Sequence, residues 1–347
     1  MVSLRFAALA TPPFKPVDNL CHTLAGAALA KAGLDRRTPL ATPALLIAAN
    51  LPDLDILSYL RDPLFALTFR RGWTHGVLAM LALPPLLAGV MLLWDRQVRR
   101  RLQPDAPPAI PRQLMLVSVA GVLSHPLLDL LNTYGVRLLM PFSERWFYGD
   151  TLFIIDPWLW LLLGIVTVLG TVGGRRERAR ADGNAARRAA RLVLAGAVIY
   201  IAGMYVAGQA ARTLASKESG IHGLSPERVM AAPVPLTPFR RAVLLDLGDE
   251  YRWGALDWRA PAPRLAIDTE AIRTNLRDPV VVTALEEPEA RAFLRWSRFP
   301  AAVVVPGRGV RLYDLRYGDA DTDSWASVLI ADRSSSPRTS SISGSPR

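Results

Sequence analysis

The chain carries a single cysteine, Cys21, in 347 residues, so no disulfide framework holds it together. Charge is also scarce. Charged residues make up 20%, below the roughly 25% of ordinary soluble domains. Hydrophobic residues reach 51% and the mean hydropathy is +0.21. Together these exclude a disordered chain and an ordinary soluble enzyme, and they fit an integral membrane protein with a soluble part. There is no glycine-rich phosphate loop, no G-x-S-x-G elbow and no cysteine paired with a base as a nucleophile. No internal repeat is visible. The first 18 residues lack a continuous apolar core, so no cleaved signal peptide is expected.

Long apolar runs are plentiful. Residues 74–94, 152–173 and 192–211 each approach the ~20 residues that cross the hydrocarbon. Residues 113–131 are almost as apolar but carry His125 and Asp129. Two shorter stretches, 20–33 and 39–52, reach only about 21 Å as helices. They read either as short packed helices or as a re-entrant hairpin. The net charge of +11 resides in short arginine-rich loops, 95–112 and 174–191. The positive-inside rule places both in the cytoplasm and leaves no extended basic surface for nucleic acid. The connection 132–151 and everything after residue 211 then lie outside. Arg70 and Arg71 fall on the wrong side for this rule.

Beyond residue 211 the pattern changes. Residues 239–247, 280–285, 301–305 and 308–317 are short and β-rich, and 287–298 reads as a helix, with proline-rich breaks between pieces. The expected architecture is an α-helical polytopic membrane domain at 17–211, followed by a small extramembrane α+β domain at 220–332. A disordered tail is expected at 333–347 from its serine-rich composition.

The ionisable residues of the apolar half fall in a pattern. His22 opens the first short stretch, Asp53 and Asp55 close the second, His75 opens a span, and His125 and Asp129 sit late in another. His125 and Asp129 are four apart, so a helix sets them on one face. Their burial costs a few kcal/mol unless they face protein, water or a metal. Asp53 and Asp55 can converge only in a turn, which Pro52 favours. Threaded through the topology set by the loop arginines, all six converge on one leaflet. Three imidazoles and three carboxylates suit a divalent ion such as Zn, with Mn or Fe as alternatives. Six groups can serve one ion or a two-metal cluster. Taken singly, His22 reads also as a cap or interfacial residue, and the Asp53–Asp55 turn as capping and solvation. Asn19, Asn50 and Asn132 either orient ligands or donate to substrate, or serve as turn residues; Asp150 and Asp156 flank the next span on the outer side, where Asp156 with Pro157 reads also as a helix start. His222 reads as a surface residue.

The runs Asp18–Gly26, Asn50–Asp55, Arg71–His75 and Ser124–Asp129 resemble the YdjM-like family of bacterial inner-membrane metal-dependent hydrolases, the LexA-regulated type. The segments Leu131–Gly135, Pro141–Ser143 and Ile155–Pro157 are also similar to that family, and Phe293–Pro300 is similar to its longer members. The resemblance implies a hydrolase in the bacterial inner membrane with a divalent metal centre. One departure is visible: many members read His-Arg-Gly-x-Thr-His, and here Arg70 stands in place of the first His. If that His is a ligand, this site has one fewer; if it supports a ligand, Arg70 is free to hold a phosphate oxygen.

The expected site is therefore His22, Asp53, Asp55, His75, His125 and Asp129, with Asp55 as general base. The expected substrate is an ester or phosphoester at the outer face, amphiphilic or lipid-linked, with membrane lipid as the partner. The alternative is a non-enzymatic metal-binding scaffold or a transporter. A transporter would favour midplane charges and an inverted repeat.

Overall fold

The computed structural model describes residues 18–180, 185–321 and 323–331. The leading residues and the expected tail at 333–347 lie outside them. Asp18 caps the first helix, α1 (Asn19–Lys31), accepting from the backbone N–H of Cys21 at 3.0 Å, as aspartate does at an N-cap. A second helix, α2 (Ala41–Ala48), is only eight residues long and buries Ala41, Ala44, Leu45 and Ala48. The two short apolar stretches are thus short packed helices, not spans. Neighbouring helices reach α2 through glycine. A Cβ at Gly26 of α1 would lie 2.7 Å from the Leu45 carbonyl oxygen, and one at Gly121 would lie 2.5 Å from the Ala48 Cβ. Small residues let helix backbones approach this closely in membrane bundles.

A 3₁₀ helix, Leu51–Leu60, follows, with Pro52 in its first turn. Then come α3 (Pro63–Phe69), capped by Asp62, and α4 (Val77–Trp94). The latter runs on through a π turn into α5 (Arg100–Leu102). Helix α6 (Pro111–Leu130) contains Pro126 and continues past it. Helices α7 (Pro157–Arg180) and α8 (Ala185–Ile221) pack against each other. Among the described residues, three helices are long and apolar enough to cross a membrane: Val77–Leu102, Pro111–Leu130 and Ala185–Ile221. Pro157–Gly173 is a shorter apolar helix. The apolar run expected from residue 152 becomes helical only at Pro157, because Asp156 caps that end by accepting from the Leu159 N–H at 2.9 Å.

The 37 residues of α8 extend ~55 Å, well beyond a ~30 Å hydrocarbon core. The excess carries a sheet. Ala211 and Ala215 of α8 pack with Ala231, Val243 and Leu245 from β1 (Arg228–Val234) and β2 (Thr237–Asp246). From β2, the buried Arg241 donates to the Met204 carbonyl at 2.7 Å. The sheet is completed by β3 (Glu250–Asp257) and β4 (Ala266–Arg273), in the order β1-β2-β3-β4. The chain divides into two compact units. One holds α1 to α8 and continues through Leu247, with Arg252–Ala271; the other takes Gly248–Tyr251 and the residues from Ile272 onward.

The second unit contains α9 (Pro279–Leu285), α10 (Pro288–Trp296) and an antiparallel sheet in the order β5-β6-β7. Its strands are β5 (Pro300–Val305), β6 (Gly309–Asp314) and β7 (Ser327–Ala331). Ala302 pairs with Leu312, and Leu312 with Val328. A helical half followed by antiparallel sheets is the fold class expected. One local reading is corrected: the valine-rich run 280–285 is not a strand. Asp278 accepts from the Val280 N–H at 2.8 Å and Pro279 occupies the first helical position, and these start signals override the β preference of valine.

A buried histidine and aspartate cage at one end of the helices

The candidate ligands lie at helix ends that meet at one end of the bundle, the N-termini of α1 and α4 and the C-termini of α2 and α6. His22 is in the first turn of α1, and Asp53 follows α2 in the 3₁₀ segment. His75 precedes α4, and His125 and Asp129 occupy the last turns of α6. All are buried. The His22 and His125 rings stack with centroids 3.7 Å apart. His75 Nε2 lies 3.1 Å from Asp129 Oδ2 and 3.1 Å from His125 Nε2. His125 Nε2 is 3.4 Å from Asp129 Oδ2 and 3.6 Å from Asp53 Oδ1. His22 Nε2 is 3.6 Å from Asp129 Oδ1. Two sets have ligand atoms within 4.8 Å of one another: His22, Asp53 and His125, and His75, His125 and Asp129.

The hydrogen-bond network fixes the tautomers. His125 Nδ1 faces the Ala49 carbonyl at 2.7 Å, an acceptor only, so Nδ1 carries the proton. Thr74 Oγ1 donates to Asp55 Oδ2 at 2.9 Å and meets His75 Nδ1 at 2.9 Å. Its one proton is committed to Asp55, so His75 Nδ1 is the donor. The two Nε2 atoms, turned toward each other, are therefore the nitrogens left to ligate an ion. Beside them, both Asp53 oxygens and Asp129 Oδ2 lack a hydrogen-bond donor. Buried carboxylate oxygens in that state are costly, and a cation relieves them. Tetrahedral ligand nitrogens at 2.0–2.1 Å from an ion lie about 3.3 Å apart, close to the separation seen. The residues present fit a divalent ion held by nitrogen and oxygen, with the His75 and His125 imidazoles steadied through their other nitrogens.

Asp55 belongs to neither set. Its Oδ1 accepts from Arg70 Nε at 3.0 Å, and its Oδ2 accepts from the Arg71 N–H and Thr74 Oγ1, both at 2.9 Å. It supports His75 and the arginine turn, which differs from the ligand and base role read from sequence. Arg70 is held by Asp55 and donates to the Tyr59 hydroxyl at 3.2 Å.

Sequence reasoning passed over three residues here. Arg71 is buried, with φ of 51°; its Nη1 lies 2.9 Å from Asp129 Oδ1 and its guanidinium covers the Tyr134 ring at 4.8 Å. Arg137 donates to the Thr68 and Arg70 carbonyls and so fixes the arginine turn. Thr74 relays between Asp55 and His75. The signal was available for Arg71: a basic residue that violates loop charge bias needs a buried partner. Of the remaining candidates, Asn50 ties α2 to Thr23 of α1 at 3.0 Å. Asn132 accepts from the Tyr134 and Gly135 N–H groups. Asp150 pairs with Arg212, and Asp156 accepts from the Tyr200 hydroxyl at 2.9 Å. Asn19 and His222 are exposed.

A narrow cleft reaches the cage, lined by Cys21, His22, Asp129, Asn132, Phe153 and Leu159 among others, with room for only one or two water-sized groups. His22 Nδ1 is buried without a hydrogen-bond partner.

Comparison with known proteins agrees in extent with this geometry. The uncharacterized protein YfhP of Bacillus subtilis is 26% identical over 118 residues, which is 34% of this chain and 33% of that relative. The match thus spans about a third of the relative's length. No solved structure matches. The family described as YdjM inner membrane protein matches residues 17–211, a range that contains every cage residue, the helices Val77–Leu102 and Pro111–Leu130, and most of Ala185–Ile221. The chain belongs to the YdjM inner membrane protein family.

Proposed function

We propose that this membrane protein is a metal-dependent hydrolase acting on an ester or phosphoester at the outer face of the bacterial inner membrane. The observation that carries the reading is Asp53: a buried carboxylate whose oxygens have no hydrogen-bond partner among the described residues, set 3.6 Å from His125 Nε2, which itself faces His75 Nε2. His22, Asp53, His75, His125 and Asp129 would hold one or two divalent ions, zinc being the best match to the imidazole and carboxylate set. When bound, such an ion supplies Lewis-acid activation of a water and of the scissile group.

The chain's own residues supply the rest. Asp55 and Thr74 keep His75 in one tautomer, and the Ala49 carbonyl does the same for His125. Arg71 offsets the charge of Asp129. Asp55, with three donors on its oxygens, is poorly free to take up a proton. Asp53 is the better general base, through whichever oxygen is not ligated. His22 lines the cleft, and its Nδ1, without a hydrogen-bond partner among the described residues, is the nitrogen that would give a proton to a leaving group.

Arginine-rich loops on the opposite side from the cage support the outward orientation, with the residues after α8 in the periplasm. A reporter fused after Arg178 should read cytoplasm, and one after Asp246 should read periplasm. Metal content and hydrolysis of a phosphoester and carboxylic-ester panel, measured on the same detergent-purified protein, test the activity. Equal hydrolysis by wild type and His125→Ala would overturn it.

A further inference from the structure

The 3₁₀ segment that brings Asp53 to the cage has a second face. At three residues per turn, positions three apart are eclipsed, so Leu54, Leu57 and Leu60 form one stripe. Their exposures are 55%, 58% and 85%. Pro52, Asp55 and Ser58 form the opposite stripe and are buried. Ten residues is long for a 3₁₀ helix, and this one is two-sided along its length: polar groups inward at the cage, leucine outward. Ile56 is also exposed, at 44%. An exposed apolar stripe of this kind marks an interaction surface.

Its place in the fold argues for the occupant. The segment packs against α6, whose Leu123 and Leu127 are exposed on the same half of a membrane-crossing helix. The stripe therefore continues the lipid-facing surface rather than standing apart from it. Exposed Arg61 closes the stripe and lies over the Phe65 ring at 4.3 Å, the position from which a basic group meets anionic headgroups. Phe142, at 76% exposure, lies in the loop whose Leu138 carbonyl accepts from Val77 N–H at the start of α4, at this same end of the bundle.

We propose that the Leu54–Leu57–Leu60 stripe inserts into the lipid leaflet, as an interfacial helix does, and sets the cage at the depth where headgroup meets acyl chain. Resting on the hydrolase reading, this narrows the substrate to a linkage found at that depth, the ester or phosphoester of a membrane lipid. A soluble ester would have no need of an immersed wall beside the metal.

Cys21 is the chain's one cysteine and is buried, so Leu57→Cys supplies one accessible thiol for an environment-sensitive fluorophore. The full chain is reconstituted in phosphatidylethanolamine–phosphatidylglycerol vesicles with nitroxide lipids, or with iodide in the water. Leu57→Cys and, separately, Leu54→Cys should show blue-shifted emission quenched several-fold more by nitroxide lipid than by iodide. Arg308→Cys, in the turn between β5 and β6, should show the reverse. Iodide quenching at Leu57 equal to that at Arg308 would overturn the inference. So would a Leu57 probe shielded from both quenchers that transfers energy to a second labelled chain, since a copy of the protein would then cover the stripe. A water-facing stripe leaves the hydrolase proposal standing, whereas a lipid-facing stripe in a protein with no turnover defeats only that proposal.

Discussion

His75 and His125 face each other through the same ring nitrogen, Nε2, at 3.1 Å, and the Nδ1 of each ring is engaged elsewhere, with Thr74 and with the Ala49 carbonyl. In the proposed metal centre a cation would sit between these nitrogens, bordered by Asp53 and Asp129. Removing it should therefore cost stability. Zinc at a hundred times its dissociation constant is expected to stabilise the protein by about 2.7 kcal/mol, read as a rise in unfolding temperature in mild detergent, and a chelator should reverse it. In His125→Ala the zinc-dependent rise should vanish. An unchanged rise in that variant would show that the ion binds elsewhere.

The two carboxylates of the Asp53-Leu54-Asp55 turn should separate under substitution. Thr74→Val and Asp55→Asn each disturb support of His75, for which losses of 10- to 100-fold in metal affinity are usual. Excess metal should restore their hydrolysis rates. Asp53→Asn should not be restored, with the rate about 10² to 10⁴ lower when a general base is lost. The check is rate against metal concentration for the three variants; recovery of Asp53→Asn at saturation would return the base to Asp55.

Those assignments also show what the sequence conveyed. The four-residue spacing of His125 and Asp129 and the alternating loop charge were enough to bring His22, Asp53, His75, His125 and Asp129 together, because helix periodicity and topology are local signals. Asp55 was indistinguishable from Asp53 in sequence: both follow Pro52, and only the threonine and arginine turn arriving from residues 70–74 separates ligand from support. Arg70 and Arg71 looked like violations of loop charge bias. They are buried and neutralised by Asp55 and Asp129, so they carry no topological information. In the second unit the valine run of α9 was misread because its cap and Pro279 outweigh residue preference. Asp314 gave no signal at all, since its partners come from the end of α10 and the turns around it.

Close helix contact through glycine makes a separate prediction. A methyl group at Gly121 would meet Ala48 Cβ at 2.5 Å, and overpacking of this kind costs about 1–3 kcal/mol. Gly121→Ala should lower the unfolding temperature and, by pushing α6 from α2, weaken zinc binding. Gly89→Ala in α4 is the control. Nothing lies within 4 Å of its Cβ position, and replacing a mid-helix glycine by alanine should be neutral or stabilising by about 0.5–1 kcal/mol. Equal effects from both would deny that the α2–α6 approach is tight.

Asp314 should make the second unit sensitive to acid. It is fully buried and accepts from Ser297 Oγ at 2.6 Å, the Arg298 N–H at 2.7 Å and Arg316 Nε at 2.8 Å. Burial alone would raise its pKa, but the Arg316 guanidinium and these hydrogen bonds outweigh burial and hold it below the ordinary 3.8. A carboxyl depressed on folding binds its proton more readily in the unfolded chain, so the unfolded state takes up more protons as pH falls. The stability it contributes is complete above the unfolded value near 3.9 and is lost as pH drops through the lower folded value. Trp296 and Trp325, with ring centroids 5.8 Å apart, report on this unit. Their fluorescence should show a loss of stability below about pH 4. Asp314→Asn should be less stable by about 2 kcal/mol at neutral pH, and its stability should change less between pH 5 and pH 3. A variant with the wild-type acid response would mean that other carboxyls set the sensitivity.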